Sequence, residues 1–282
     1  MNNALIFGTF DGVHLGHRSV IESVKGHNII AVTFKVPPKS VTKKKENLLM
    51  LYEKRVDALK SAGVNEVLSL DFESVRDISH TDFIKSMFEK FKPVKIACGF
   101  NFRFGKGALG DVEYLSEVCK ENGIDFCCSE DVKMYGNTVS SSYIRSLIEN
   151  GLVNKANTLM SADFGFKGEV IKGDARGRTL GFPTANQMYP KELVKAKFGV
   201  YESRTVIGNK VYKSVTNVGI RPTFKTECIT AETFVFGYKG DLYGTYPELR
   251  LKSFIREEKK FSDIDRLKAA IADDISKVGK VK

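Results

Sequence analysis

The sequence contains little cysteine and no long apolar run, and both scarcities limit what the chain can be. Its five cysteines are odd in number and form no Cys-x-x-Cys pair, so neither a zinc site nor a disulfide framework is indicated. Thiols of this kind suit a reducing compartment, and we expect a cytoplasmic protein. No apolar stretch approaches membrane-spanning length, and strand-like residues begin close to Met1, so we expect no membrane anchor and no signal peptide.

Proline is also scarce, with seven residues in 282, while 42% of the chain is hydrophobic. These values exclude a disordered chain and suffice for two ordinary domains with their own cores. The formal net charge of +10 attracts polyanions, but the one dense basic run, residues 43–45, is typical of a solvated loop. A nucleic-acid-binding protein is the alternative, but a basic helix and an RNA-recognition signature are both lacking. We therefore expect small anionic substrates, no nucleic acid and no membrane; the sequence does not indicate an oligomeric state.

Short apolar runs alternate with helical patterns in the first half of the chain. The runs predict strands at residues 4–7, 28–34, 65–70, 94–98 and 124–128. Helical periodicity predicts helices over 48–62 and 109–122, each followed by a glycine that ends it, and a short helix over 142–149 that ends at Asn150-Gly151. This alternation predicts an α/β domain, a parallel sheet wrapped by helices.

The pattern changes near residues 151–160 to strands and glycines with few helical faces. A hairpin with a Gly-Asn turn is predicted at 206–212, strands at 231–236 and 248–254, and a single helix at 263–277. We expect a small antiparallel β-barrel closed by that helix. The predicted domains are residues 1–155 and 156–282.

Two of the four histidines lie in a glycine frame directly after the first strand. Gly8, Gly12 and Gly16 allow a tight turn and a close approach of backbone to ligand. His14 and His17 differ by three positions, so in a helix both imidazoles lie on one face near its positive end. The pattern favours a site for a triphosphate; the alternative is a glycine-rich connection with two solvated histidines.

A second glycine-rich segment, residues 168–186, carries two arginines and ends in Pro-Thr-Ala-Asn. Such a loop can fold over phosphates through its backbone N–H groups. Thr184 and Asn186 point the same way along a strand, so their side-chain oxygens can ligate Mg²⁺. A glycine-rich barrel loop without a ligand is the alternative.

Both segments resemble known signatures. Residues 8–17 resemble the nucleotide-binding motif of the His-x-Gly-His nucleotidyltransferases, which transfer AMP and share an ancestral fold with class I aminoacyl-tRNA synthetases. The C-terminal half resembles riboflavin kinase modules at residues 168–186, 198–201, 217–224, 231–233, 241–244 and 254–261. The two together are the layout of the bacterial bifunctional riboflavin kinase/FAD synthetases, a family that the chain resembles over nearly its whole length.

This resemblance implies two activities. The C-terminal domain would make FMN from riboflavin and ATP, and the N-terminal domain would convert FMN and ATP to FAD and pyrophosphate, both with Mg²⁺. Residues 99–105 look like the family's glycine-[Asp/Asn]-Phe-x-Phe-Gly loop, and residues 139–145 resemble its Ile-Ser-Ser-Thr-x-Ile-Arg motif with Ser142 for threonine. The alternative is a kinase with a weak or inactive adenylyltransferase domain.

The resemblance also assigns roles to individual residues. The catalytic residues would be His14, His17, Asn101, Arg145 and Glu232, the last as the base that takes the ribityl 5′-hydroxyl proton. Thr184 and Asn186 would hold the metal. The nucleotide or flavin contacts would be Gly8, Phe10, Asp11, Gly12, Gly16, Phe104, Ser141, Ser142, Gly173, Gly177, Arg178, Gly181, Arg256 and Glu258.

Several of these residues also have a plainer structural interpretation. The phenylalanines of residues 99–105 can belong to the core, and the serines that open a helix can cap it. Glu232 can be an edge-strand carboxylate that faces water, and Arg256 and Glu258 can form a surface ion pair of little energetic weight.

One element departs from the family pattern. Where the family has Thr-Phe-x-Pro-His-Pro after the second strand, residues 33–38 read Thr-Phe-Lys-Val-Pro-Pro, so Pro37 stands in place of the histidine. Lys35 is a candidate for a replacement positive charge. Adenylyl transfer then depends on the remaining motif elements.

Overall fold

A computed structural model describes the chain over residues 1–38, 47–172, 182–222, 227–259 and 264–279. It consists of two compact units. The first holds Met1–Ile144 and Leu159–Ala162, and the second holds Arg145–Thr158 and Asp163–Lys282. The division after Ile144 falls before the domain boundary that the sequence predicts at 155/156. The basic run at 43–45 lies outside the described residues.

The first unit is built on a five-stranded parallel sheet in the order β3-β2-β1-β4-β5. Its strands are β1 (Asn3–Phe7), β2 (Asn28–Phe34), β3 (Glu66–Leu70), β4 (Lys95–Gly99) and β5 (Asp125–Ser129). Each strand lies within about one residue of its predicted run, so the predicted α/β class is confirmed. The chain order reverses between β1 and β4, which makes the carboxyl ends of these two strands the topological switch point, where ligands bind in such sheets.

Helices follow the strands of this sheet. They are α1 (Leu15–Glu22), α2 (Tyr52–Ser61), α3 (Phe72–Val75), α4 (His80–Phe91), α5 (Val112–Glu121) and α6 (Ser141–Glu149), with a small hairpin of β6 (Lys133–Met134) and β7 (Asn137–Thr138) before α6. The buried faces of α4 and α5 pack against β1 and β4 in one core, in which Ile84 and Leu115 meet Leu5 and Ile96. This core fixes the edge of the sheet at which the site lies.

Two predicted helices begin later than the periodicity indicates, and at each start a carboxylate accepts from backbone N–H groups. Residues 48–50 are buried but not helical, because the N–H groups of Leu49 and Met50 donate to the Asp11 carboxylate. The helix therefore begins at Tyr52 rather than at residue 48. Likewise the Asp111 carboxylate accepts from the Tyr114 N–H and caps α5, which begins at Val112 rather than at residue 109.

The second unit is a seven-stranded antiparallel sheet that curls as a half-barrel. Its strands are β8 (Gly165–Lys167), β9 (Val170–Ile171), β10 (Thr184–Met188), β11 (Gly199–Ile207), β12 (Lys210–Pro222), β13 (Glu227–Val235) and β14 (Glu248–Arg256). The order is β8-β14-β11-β12-β13-β10-β9. Helix α7 (Val153–Leu159) follows α6, and α8 (Ile264–Gly279) ends the described chain. The predicted Gly-Asn hairpin and C-terminal helix are confirmed.

Hydroxyl side chains rather than apolar ones fill part of the half-barrel interior. The buried Ser203 hydroxyl lies 2.8 Å from the hydroxyls of Ser214 and Thr216, and Thr216 lies 2.9 Å from Thr233. Buried polar groups that satisfy one another in this way favour a single arrangement. The chain of hydroxyls fixes β11, β12 and β13 in one register.

An ion pair joins the last strand to the last helix. The Arg256 Nε and Nη2 donate to the Asp274 carboxylate at 3.0 and 2.6 Å, with side-chain exposures of 18% and 3%. On the same helix, Ile275 and Val278 pack against Val200 of β11. Helix α8 is therefore held by charge and by apolar contact together.

Removing one member of this pair is expected to destabilise the second unit. Asp274→Ala leaves the largely buried Arg256 guanidinium without its carboxylate, which costs about 3–5 kcal/mol for pairs of this kind. Urea unfolding measures this loss. The neighbouring Asp273 pairs with Lys277 at 61% and 54% exposure, so Asp273→Ala is the matched control and costs less than about 1 kcal/mol. Equal losses in the two variants would contradict the assignment.

Candidate active sites

The glycine turn after β1 lies at the switch point of the first sheet and has room only for glycine at one position. Gly12 has φ +84°, and a Cβ there would lie 2.8 Å from Leu49 Cδ1. Both the backbone conformation and the packing exclude a larger side chain. The turn is thus held close against the segment that precedes α2.

Asp11 is the residue that holds the turn in place. Its buried carboxylate accepts from Leu49 N at 2.9 Å and from Met50 N at 3.3 Å, and its carbonyl oxygen accepts from Ser141 Oγ at 3.0 Å. Asp11 therefore joins three segments of the first unit. Its predicted contact with the nucleotide stays a prediction.

The two histidines lie together at the start of α1, as their spacing predicts. His14 is the N-cap residue and is 7% exposed, and its ring stacks on that of His17 with centroids 3.7 Å apart. Phe10 meets His17 edge-on at 5.2 Å. His14 is buried, His17 is half-buried, and both rings pack against aromatic neighbours, which argues against the glycine-rich connection as the whole explanation.

The His17 ring is neutral, and one hydrogen bond assigns its tautomer. Burial, His14 and Arg55 all lower the pKa of His17 well below its usual value. The backbone N–H of His14 donates to His17 Nδ1 at 3.3 Å, so in the neutral ring the proton is on Nε2. His17 therefore presents an N–H donor, which is what a phosphate oxygen accepts from.

The lowered pKa of His17 predicts a pH dependence of stability. Because the unfolded chain takes up a proton near pH 6.5 and the folded His17 does not, this residue stabilises the folded state above that pH. Its contribution is lost as the pH falls from about 6.5 toward the lowered value. The free energy of unfolding of the wild type and of His17→Asn, measured at several pH values, gives the contribution of His17. A slope below pH 6.5 that is equally steep in both proteins would contradict it.

A cation missed by the sequence prediction lies at the end of β2. The fully buried Arg55 of α2 donates through Nη2 to the carbonyls of Phe34 and Lys35, at 2.5 and 3.0 Å. The Lys35 side chain, our candidate for a replacement charge, is exposed. The signal was available in the sequence: Arg55 lies on the same helical face as Ala58 and Leu59, where a charge is unusual.

The loop after β4 separates its aromatic residues into two environments. Phe102 stacks on Phe7 at 5.5 Å and on Phe104 at 5.3 Å, and Phe104 is buried in the core. Phe100 and Asn101 are exposed. Phe104 is thus a core residue, as the structural interpretation predicts. Asn101, in contrast, is accessible beside the switch point.

Helix α6 begins with serines that have different partners. Ser140 Oγ accepts from the Tyr143 N–H at 3.2 Å, which caps the helix, whereas Ser141 donates to the Asp11 carbonyl. Ser142 is exposed, and Arg145 lies about one turn further along the same helix. The serine motif is therefore attached directly to the glycine turn.

In the second unit, polar residues on neighbouring strands stand in one row. Glu232 of β13 is opposite Asn186 of β10 on one side and opposite Asn217 of β12 on the other. Residues directly opposite in an antiparallel sheet share a face, and Thr184 lies two residues from Asn186 on that face. The structure thus brings together the three residues predicted to serve the kinase reaction, and it adds Asn217.

Glu258, two residues after the end of β14, also contacts this row. Its Oε1 accepts from Asn217 Nδ2 at 3.0 Å, and a Cβ at position 219 would lie 2.0 Å from the same oxygen. Gly219 therefore allows the carboxylate to lie on β12. The Arg256 side chain instead forms an ion pair with Asp274. The alternative of a surface ion pair between Arg256 and Glu258 is therefore not found among the described residues. Four predicted contacts, Gly173, Gly177, Arg178 and Gly181, lie outside the described residues.

The donor set in this row fits a hard divalent cation. Thr184 and Asn186 offer neutral side-chain oxygens on one face of β10. Such oxygen ligands suit Mg²⁺, which keeps waters and phosphate oxygens in the rest of its shell. Within the described ranges, no group of three His, Cys, Asp or Glu side chains is placed to hold a metal alone.

Fold and sites define the class of protein: a nucleotidyltransferase-like α/β unit and a flavokinase-like half-barrel in one chain. Residues 1–143 match the FAD synthetase family model, and residues 160–282 match the riboflavin kinase model. The chain belongs to the bifunctional riboflavin kinase/FMN adenylyltransferase family.

Individual relatives agree with this membership. The chain is 31% identical to the bifunctional riboflavin kinase/FMN adenylyltransferase of Bacillus subtilis, over 96% of this chain and 90% of the relative. The protein of the same description from Escherichia coli K12 is also 31% identical, over 96% of this chain and 90% of its own length.

The fold is similar to a solved structure over its full length. A protein from Streptococcus pneumoniae described as a macrolide-efflux protein superimposes with a TM-score of 0.90 at 26% identity, over 100% of this chain and 95% of the other. In the part of the chain that the structure describes, no helix is long and apolar enough to cross a membrane.

Proposed function

We infer that the chain carries out two consecutive steps of flavin-cofactor synthesis: phosphorylation of riboflavin to FMN and adenylylation of FMN to FAD. One observation carries this conclusion. The segments that match the riboflavin kinase and FAD synthetase models each gather their own polar side chains, Asn186 and Glu232 in one and His14 and His17 in the other. The alternative of an inactive N-terminal domain is not favoured, because that domain keeps the histidine pair at its switch point.

The kinase step is assigned to the row on β10 and β13. Glu232 takes the proton from the ribityl 5′-hydroxyl as that oxygen attacks the γ-phosphorus of ATP, and the bond to the β-γ bridging oxygen breaks to release ADP. A positioned carboxylate contributes about 10²–10⁴ to such a rate. Thr184 and Asn186, on the same face, are proposed to hold Mg²⁺, which when bound neutralises phosphate charge.

The adenylyl step is assigned to the start of α1. A phosphate oxygen of FMN attacks the α-phosphorus of ATP, the bond to the α-β bridging oxygen breaks, and pyrophosphate leaves. His17 presents its Nε2 proton to the phosphates, and His14 and the glycine turn line the same edge of the sheet. Asn101 and Arg145 are proposed to contact the nucleotide, Arg145 at the departing pyrophosphate. This step too is proposed to require Mg²⁺.

The location of these reactions is proposed to be the cytoplasm. All five cysteines are free thiols, and burial raises the pKa of Cys98 and of Cys119 to about 12, which keeps both protonated and unreactive. Free thiols of this number suit a reducing compartment.

A time course of flavins tests the proposal. Purified protein is incubated with riboflavin, ATP and Mg²⁺, and riboflavin, FMN and FAD are separated by chromatography. FMN is expected to rise first and FAD to follow. FMN without FAD would restrict the function to the kinase and point to Pro37, whereas no product would overturn both assignments.

A further inference from the structure

We propose that Arg55 is a positioning residue of the adenylyl-transfer site, a buried cation that supplies the fixed positive charge behind the histidine pair. The inference rests on the proposed adenylyl transfer and adds to it a residue outside the motifs that define the site.

Arg55 reaches the same edge of the sheet as the histidines. Its Nη2 donates to the carbonyls of Phe34 and Lys35, at the carboxyl end of β2. That strand pairs with β1, and the Thr33 hydroxyl donates to the Thr9 carbonyl in the turn that follows β1. The guanidinium therefore lies one strand away from the glycine turn, on the side where phosphates are expected.

Stability alone does not explain this arginine. Its side chain is fully buried, and Nε and Nη1 have no hydrogen-bond partner in the described part of the chain. A buried cation with unsatisfied N–H groups is costly to fold, and burial lowers the pKa of Arg55. Departures of this kind from ordinary burial rules concentrate at functional sites.

Arg55 interacts electrostatically with residues of the glycine turn and the histidine pair. Asp11 and Tyr52 attract it, but the Asp11 carboxylate already accepts from the N–H groups of Leu49 and Met50. The charges of His14 and Arg55 both lower the pKa of His17, which therefore stays neutral. A preorganised charge in a buried setting acts strongly on a triphosphate, because little water screens it.

Three variants test this role. Arg55→Gln removes the charge, Arg55→Lys keeps it, and Arg76→Gln removes an exposed arginine of the same unit as the matched control. The kcat and the KM for ATP of FMN adenylylation are measured across a pH range, and riboflavin phosphorylation by the other unit serves as the internal control for each preparation.

We expect Arg55→Gln to lower kcat/KM for ATP about 10²-fold and to move the acidic limb of the profile to higher pH, because His17 loses a repelling charge. Arg55→Lys should lower kcat/KM for ATP less than about ten-fold. Its pH profile should gain an alkaline limb that the wild type lacks, because a buried lysine loses its proton more readily than arginine. Arg76→Gln and every kinase rate should match the wild type.

The proposal fails if Arg55→Gln makes FAD at the wild-type rate. It also fails if Arg55→Gln and Arg55→Lys lose kcat/KM for ATP equally and keep the wild-type pH profile, which is what a purely structural role requires. If Arg55→Gln does not fold, the alkaline limb of Arg55→Lys decides: its presence supports the charge role and its absence overturns it. A wild-type protein that makes no FAD would instead refute adenylyl transfer itself, so the two failures are distinguishable.

Discussion

Glu232→Gln is expected to lower the rate of FMN formation about 10²–10⁴-fold, which is the usual contribution of a general base. The primary hydroxyl of riboflavin is a poor nucleophile until its proton is removed, and an amide does not accept that proton. The substitution keeps the size of the side chain opposite Asn186 and Asn217, so the sheet register should be unchanged. FMN formation is measured from riboflavin, ATP and Mg²⁺.

Two comparisons separate loss of the base from loss of the fold. Conversion of supplied FMN to FAD by the same variant should proceed at the wild-type rate, because His14 and His17 are unchanged. Glu192→Gln, which alters an exposed carboxylate of the same unit, should keep the kinase rate. An unimpaired kinase in Glu232→Gln would leave Glu232 as the edge-strand carboxylate of the alternative interpretation.

His17→Ala is expected to lower FMN adenylylation about 10²–10³-fold, the usual loss when one preorganised donor is removed. The neutral ring has its proton on Nε2 because Nδ1 accepts from the His14 backbone, so alanine removes the donor and the ring stacked on His14. Initial rates of FAD formation from FMN and ATP measure the effect, and the riboflavin kinase rate should stay unchanged.

A second histidine of the first unit provides the control for this change. His27 follows α1, and its Nδ1 lies 3.1 Å from the Val24 carbonyl outside the glycine frame. His27→Ala should keep the wild-type rate of FAD formation. Equal losses in the two variants would show that the adenylyl step does not depend on the position of the His17 donor.

The sequence predicted the strands of the first unit well, because each is a short apolar or β-rich run between segments with helical periodicity. It placed the start of α2 too early, because periodicity records which residues are buried and not which backbone groups have other partners. Leu49 and Met50 are buried as a helical face would be, yet their N–H groups donate to Asp11, which is distant in sequence. It placed the start of α5 too early because Leu109, although apolar, is exposed, and Gly110 pairs its backbone with Phe104.

Some site residues could likewise be found from local sequence, and others only from the fold. The pairing of His14 with His17 follows from helix geometry over three positions, so the sequence sufficed. Glu232, Asn186 and Asn217 belong to three strands, and only the register of the sheet brings them into one row. Arg256 matched a family motif, but its carboxylate partner is on α8, which local reasoning did not find.

The sequence by itself determined the α/β and antiparallel classes, the strand positions of the first unit, the family and the histidine pair, because these depend on patterns of residues near one another in the chain. Tertiary structure alone decided the neutral state and tautomer of His17, the burial of Arg55 at the end of β2, and the alignment of Glu232 with its amide neighbours. Each of these depends on burial or on strand pairing between distant segments, and neither is encoded in a local pattern of residue types.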